Sequence, residues 1–229
     1  MANQLDLEEQ EQLDQIKHVW KQYGNAITWV LIAVLGTYAG WNFYHYWQRG
    51  QATQAAAMYD EVERVVKTGD MVKIERAFAD MKDKFGTTAY GQQAGLLVAR
   101  QYFDTGKFDQ AKAALMWVAE KSSDPGYQAV ARLRLAAVLA DGKAYSEALT
   151  QLAGPFPVQF EALVADRKGD VLMLDGKKEL ARAEYDKAYR AFEPRTEYRR
   201  LVEVKLNALG VDPVVKPAAP AASSKEAGQ

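Results

Sequence analysis

A chain of 229 residues, 48% of them hydrophobic, is long enough to bury one substantial core and still carry a further segment. Its formal net charge of -1 and pI of about 6.2 give no global signature of a nucleic-acid or anionic-membrane partner. Cysteine is absent, which excludes disulfides, thiolate metal sites, a cysteine nucleophile and a lipid-modified N-terminal cysteine, and the two histidines, His18 and His45, cannot build a histidine-based metal cluster; no cofactor is expected.

Residues 1–25 form an acidic leader with Asp6, Glu8, Glu9, Glu11 and Asp14. From Gly24 to Gln48 no Lys, Arg, Asp or Glu occurs, and the core of that run, residues 26–47, would rise about 33 Å as a helix against a hydrocarbon layer of roughly 30 Å. Trp20, Trp29, Trp41 and Trp47, with Tyr23, Tyr44 and Tyr46, gather toward its two ends, where amphipathic rings favour the headgroup level. The spacing therefore predicts one transmembrane helix. A cleaved signal peptide fits poorly, since those begin with a short basic region and carry an apolar stretch of only about 7 to 15 residues. Lys17 and Lys21 precede the span and Arg49 alone follows it closely, so the positive-inside rule leans toward a cytoplasmic N-terminus. In a bacterium this puts the segment after the span in the periplasm. Within the span, Gly36 and Gly40 form a GxxxG pair extended by Ala33 and Thr37. Two readings fit, ordinary membrane-helix composition and a stripe on which another helix docks, with Asn42 placed to hydrogen-bond across such a contact.

After Arg49 the sequence turns Ala-rich, charged and amphipathic, with apolar residues at helical spacing and glycines at the breaks. Three segments are alike: TGKFDQAKAALMWV (105–118), DGKAYSEALTQL (141–152) and DGKKELARAEYDKA (175–188), each opening on Gly-Lys. Ala111, Ala148 and Ala181 recur at intervals of 37 and 33 residues, as do Ala99, Ala136 and Gly169, and Tyr102, Leu139 and Leu172. Small residues at these places let two antiparallel helices approach closely, while bulky ones such as Tyr102, Phe108, Leu115, Leu135, Tyr145, Leu152 and Tyr185 fill the spaces between units. The pattern resembles the tetratricopeptide repeat of about 34 residues. Pro125 and Pro194 are read as closing units, and a fourth unit is expected over 52–85, broken at Thr68-Gly69-Asp70. Residues 195–209 read as a closing helix with Tyr198, Leu201, Val202, Leu206 and Leu209 inward, stopped by Gly210. The expected fold is thus all-α: one transmembrane helix followed, over residues 51–210, by a tetratricopeptide-like solenoid of about four helical hairpins. The Pro/Ala-rich tail, residues 211–229, is expected to be disordered.

Stacked hairpins of this kind line a concave surface with the first helix of each unit. Carrying the pattern over places Leu96, Arg100 and Phe103, then Val130, Leu133 and Ala137, then Leu163, Asp166, Asp170 and Met173 on that surface. Such a groove is mainly apolar and suits an extended hydrophobic segment or a partner's helix; the same positions equally suit packing beneath the closing helix. Leu96 and Leu133 stand where capture of a terminal carboxylate would want polar groups. No nucleophile with a base, metal cluster or phosphate loop is legible, and Asp166 and Asp170, one turn apart, read as a solvated or groove-lining face rather than as paired catalytic acids, so no enzyme activity is expected.

The order of parts, an acidic leader, one span ending in Trp41 to Trp47, and about four degenerate repeats ending in VEVKLNALG, resembles the YfgM family of bacterial inner-membrane proteins over nearly the whole chain before the tail. That resemblance implies an ancillary subunit of the Sec translocon with a periplasmic tetratricopeptide-like domain. It also implies work beside the membrane-anchored periplasmic prolyl isomerase PpiD, and the passing of emerging secretory proteins to chaperones. Alternative readings are an envelope-assembly scaffold, a membrane-proximal regulator, or a catalytic subunit whose site a partner completes.

Overall fold

The computed structural model describes the backbone of residues 7–213 and the side chains of residues 17, 18 and 20–213. The expected disorder of the tail falls, beyond residue 213, outside these residues. The described chain is all-helical and divides into two units that meet between Gln54 and Ala55.

The first unit consists of the first part of α1 (Leu7–Thr68). From Trp20 onward α1 is long and apolar enough to cross a membrane, and the most apolar stretch of it buries nothing within the structure, unlike a core helix of a soluble domain. The two threonine hydroxyls in this stretch are satisfied locally: Thr28 Oγ1 donates to the Gly24 carbonyl at 2.8 Å and Thr37 Oγ1 to that of Ala33 at 2.7 Å. A bilayer core offers no water for them, so a hydroxyl returned to the preceding turn is the arrangement such an environment requires.

The second unit runs from Ala55 through α2 (Met71–Phe85), α3 (Ala89–Asp104), α4 (Phe108–Lys121), α5 (Pro125–Asp141), α6 (Tyr145–Ala153), α7 (Glu161–Leu174), α8 (Lys178–Ala191) and α9 (Glu197–Ala208), with a short 3-10 turn at Val158–Phe160. Packing follows chain order, α3 on α4, α5 on α6 and α7 on α8, and the first helices also meet one another, α3 against α5 and α5 against α7. This is the connectivity of stacked helical hairpins. The final turns of α1 bury Ala55, Val62 and Val65 in the same core as Ile74 and Met81 of α2. They supply the first helix of the expected fourth unit.

The aligned small residues are what allow the hairpins to close. Ala111, Ala148 and Ala181 are all 0% exposed. At Gly169 an added Cβ would overlap the Tyr185 ring, so α7 and α8 hold their separation only because no side chain stands there. Asp70, Thr88 and Asp124 cap α2, α3 and α5 by accepting hydrogen bonds from backbone N–H groups of the first turn. Pro125 occupies the first turn of α5 behind its Asp124 cap; it opens a helix rather than closing a unit, because its missing N–H would have had no partner there.

The hairpin turns correct a second expectation. In α3 and α7 the last turn is closed by a Schellman pair: Lys107 N–H reaches the Tyr102 carbonyl at 2.7 Å and Lys177 N–H that of Leu172 at 2.8 Å, with Gly106 and Gly176 in the left-handed region at φ 76° and 77°. In α5 the equivalent bond runs from Ala144 to Leu139, 2.9 Å, and the left-handed residue is Lys143, at φ 62°. The Gly142-Lys143 pair is therefore one position out of phase with its counterparts, and the register is carried by Tyr102, Leu139 and Leu172.

The closing helix α9 covers a second core formed by Ala165, Leu172, Ala181, Tyr185, Ala188, Val202 and Leu206. Gly210 follows it at φ 75°. Leu201, expected inward, is exposed, because the face of α9 that meets α8 is set by Val202 and Leu206, four residues apart.

Candidate protein-binding site

Three of the ten expected groove residues, Arg100, Phe103 and Ala137, line one cleft. Phe103 of α3 and Ala137 of α5 line a cleft of about 320 Å³, with Ala99, Leu115 and Val138 completing its apolar floor. Arg100 stands at its edge, together with Arg134 of α5 and Arg167 of α7. Leu96 is not offered to this surface: at 8% exposed it belongs to the core, since α3 is packed against α2, α4 and α5 and its middle turns are covered. Val130 and Leu133 are half-buried against the main core, Leu163 is half-buried on α7, and Met173 packs against the second core beneath α9.

Arg134 and Arg167 were not singled out from the sequence. They lie 33 residues apart, the same interval as Ala136 and Gly169, so they hold one repeat position, and Arg100 lies one turn beyond the corresponding Leu97. That recurrence was the available signal. Arg100 Nε lies 3.6 Å from Asp104 Oδ2 in an exposed pair, and Arg134 Nη1 donates at 3.5 Å to the Leu96 carbonyl. Arg167 Nη1 is 3.6 Å from Asp170 Oδ2, while its Nε is buried without a hydrogen-bond partner. Partial burial, and then the neighbouring Arg100 charge, hold the Arg134 guanidinium pKa below the usual arginine value.

Asp166 and Asp170 are drawn away from the cleft. Lys205 of α9 places Nζ 2.6 Å from Asp166 Oδ1 and 2.7 Å from Asp170 Oδ1. The Tyr198 hydroxyl donates to Asp166 Oδ2 and the Tyr185 hydroxyl to Asp170 Oδ1, each at 2.8 Å. Burial first, and then the carboxylate it faces, push the Tyr198 pKa up to about 12 and raise that of Tyr185 further. These carboxylates fasten the closing helix to α7. Among the described residues no group of three or more His, Cys, Asp or Glu is placed to hold a metal ion.

On the apolar part of α1, Gly36, Gly40 and Asn42 are exposed, and a Cβ added at either glycine would meet nothing within 4 Å. Ala33 and Thr37 border a shallow apolar depression that also includes Val34, Tyr38 and Trp41.

Residues 17–211 match a family model described as a tetratricopeptide repeat-like domain. A curated relative from Neisseria gonorrhoeae (strain ATCC 700825 / FA 1090), named ancillary SecYEG translocon subunit, is 30% identical over 204 residues, spanning 89% of this chain and 98% of that protein. Relatives of the same name from Haemophilus influenzae (strain ATCC 51907 / DSM 11121 / KW20 / Rd) and Escherichia coli (strain K12) are 28% and 27% identical over 206 residues. Each comparison covers 89% of this chain, with 98% and 97% of those proteins. No solved structure matches the chain.

Proposed function

The chain belongs to the YfgM family of tetratricopeptide-like ancillary translocon subunits, and from that membership we propose that it is a membrane-anchored interaction subunit of the Sec translocon. The observation that carries this reading is coverage. Relatives bearing that name align over nearly their full length, so span and repeats are retained together rather than as a shared module. The span, residues 26–47, anchors the protein in the bacterial inner membrane, with the N-terminal segment cytoplasmic and the helical repeats periplasmic. Lys17 and Lys21 ahead of the span support that orientation. Gly36 and Gly40 offer an unobstructed strip for close helix approach in the membrane, and Asn42 supplies a polar contact at its end.

In this reading the helical-repeat unit links the channel to periplasmic folding factors, PpiD among them, and receives emerging secretory proteins. The cleft between α3, α5 and α7 is its contact surface. Support comes from its position along the inner helices of successive hairpins, the face on which stacked repeats bind partners. The experiment is affinity purification of the full chain from detergent-solubilised membranes, beside Gly36→Ile/Gly40→Ile. Translocon subunits recovered with the native chain and depleted with the variant support both the association and the docking strip. Equal recovery overturns the strip, and absence of translocon subunits from the native sample overturns the association.

A further inference from the structure

The cleft combines an apolar floor with three arginines drawn from three successive inner helices, Arg100 on α3, Arg134 on α5 and Arg167 on α7, and no carboxylate lines it. The carboxylates beside two of these arginines lie at 3.6 Å from them. Asp104 makes only an exposed pair with Arg100, and Asp170 already accepts from Lys205 and Tyr185 as well as lying near Arg167. Exposed pairs of the first kind contribute little, so the positive charge at the cleft is not cancelled from within.

We propose that this cleft binds an extended peptide segment in which acidic side chains flank an apolar one, the carboxylates held by Arg100, Arg134 and Arg167 and the apolar side chain seated on Phe103, Leu115, Ala137 and Val138. The proposal rests on the reading of the repeats as a partner-binding unit and names the chemistry that the partner brings. Arginine presents a planar fork that takes a carboxylate through two parallel hydrogen bonds, stronger than those between neutral groups. Arg134, whose acceptor is a backbone carbonyl rather than a carboxylate, gains most from an arriving anion. The Arg134 nitrogen rests on the Leu96 carbonyl at a long 3.5 Å, and the partly exposed Arg167 fork meets Asp170 only at 3.6 Å, so both have donors to give. The volume, about 320 Å³, lies at the low end of the roughly 300 to 1,000 Å³ typical of small-ligand sites. It accommodates one or two side chains of an extended strand. The mainly hydrophobic occupant expected from the sequence is thereby narrowed to an acidic-apolar one.

The test uses the full-length protein in nanodiscs of zwitterionic lipid and a labelled ten-residue peptide alternating Glu and Leu, read by fluorescence anisotropy beside a twin with Gln for every Glu. The expected result is binding of the Glu peptide about tenfold or more tighter than the twin, weakened by a similar factor in Arg134→Glu and partly in Arg134→Gln, and falling with added salt. Thermal unfolding of each variant separates loss of the cleft from loss of the fold. Equal affinity for the two peptides, or variants that fold normally and bind unchanged, overturns the proposal. Displacement of the peptide by short-chain phosphatidylglycerol at lower concentration than by unlabelled peptide also overturns it, in favour of a lipid ligand. Co-purification of the native chain with translocon subunits is measured in parallel. If that persists while the peptide results fail, the charge reading falls alone; if it is absent, the association itself falls.

Discussion

Lys205 Nζ stands 2.6 Å from Asp166 Oδ1, a carboxylate that is 1% exposed, and this contact joins the closing helix to the inner helix of the last hairpin across 39 residues of sequence. A buried carboxylate needs its counter-charge more than the pair needs to exist, because removing one partner leaves the other desolvated and uncompensated. Lys205→Ala is expected to destabilise the helical-repeat unit by about 2–3 kcal/mol, somewhat below the roughly 3–5 of a fully buried pair since Lys205 keeps some solvent contact. Chemical denaturation of the full chain checks it. A loss under about 0.5 kcal/mol would place the pair among exposed salt bridges.

The Tyr198 hydroxyl gives the same junction a pH dependence at the alkaline end. Its folded pKa, about 12, lies above the unfolded value near 10, so between the two the unfolded chain has lost a proton that the folded chain keeps. The stabilisation is fully present below pH 10 and is lost as pH rises toward 12. The melting temperature of the native chain should therefore fall more steeply over pH 10–12 than that of Tyr198→Phe, once each is referenced to its own value at pH 8. Parallel curves would contradict the assignment.

A third expectation follows from Lys143, among the described residues the non-glycine one in the left-handed region, at φ 62°. A side chain there costs about 1–2 kcal/mol that glycine avoids. Lys143→Gly should raise the stability by about 1 kcal/mol, whereas Gly106→Ala, at φ 76° in the equivalent place of the preceding hairpin, should lower it by a similar amount. Paired denaturation curves of the two variants decide this, and changes of the same sign would show that the turns are not equivalent.

Lys143 also shows where the sequence misleads. The Gly-Lys dipeptides at 106, 142 and 176 are the most visible common feature of the three segments, yet only two share a structural position. The quieter interval of Tyr102, Leu139 and Leu172 holds the register because those residues are buried and must face the same way in each hairpin. Helices and small-residue contacts were legible for that reason, since burial imposes a period on apolar residues, whereas the span was legible from the length of its charge-free run. Arg134 and Arg167 were not, since a charged residue on an amphipathic helix reads as solvated until the neighbouring hairpin brings a second one beside it. The Asp166–Lys205 and Asp170–Lys205 pairs were hidden likewise, because charges 39 and 35 residues apart leave no local pattern. Leu96 shows the opposite error. Its position matches a groove residue by repeat arithmetic, and tight packing around α3 takes it into the core.

The central claim is that the helical-repeat unit lies outside the cytoplasm and meets translocation partners through the cleft. It is tested most directly by site-specific photocrosslinking in living cells from Phe103, inside the cleft, and separately from Leu133 on the adjoining helix, with adducts identified by mass spectrometry. Adducts with translocon subunits, a periplasmic isomerase or secreted proteins are the predicted result, stronger from Phe103. Adducts with cytoplasmic proteins alone would contradict it, reversing the orientation and leaving a membrane-proximal regulator as the reading to pursue.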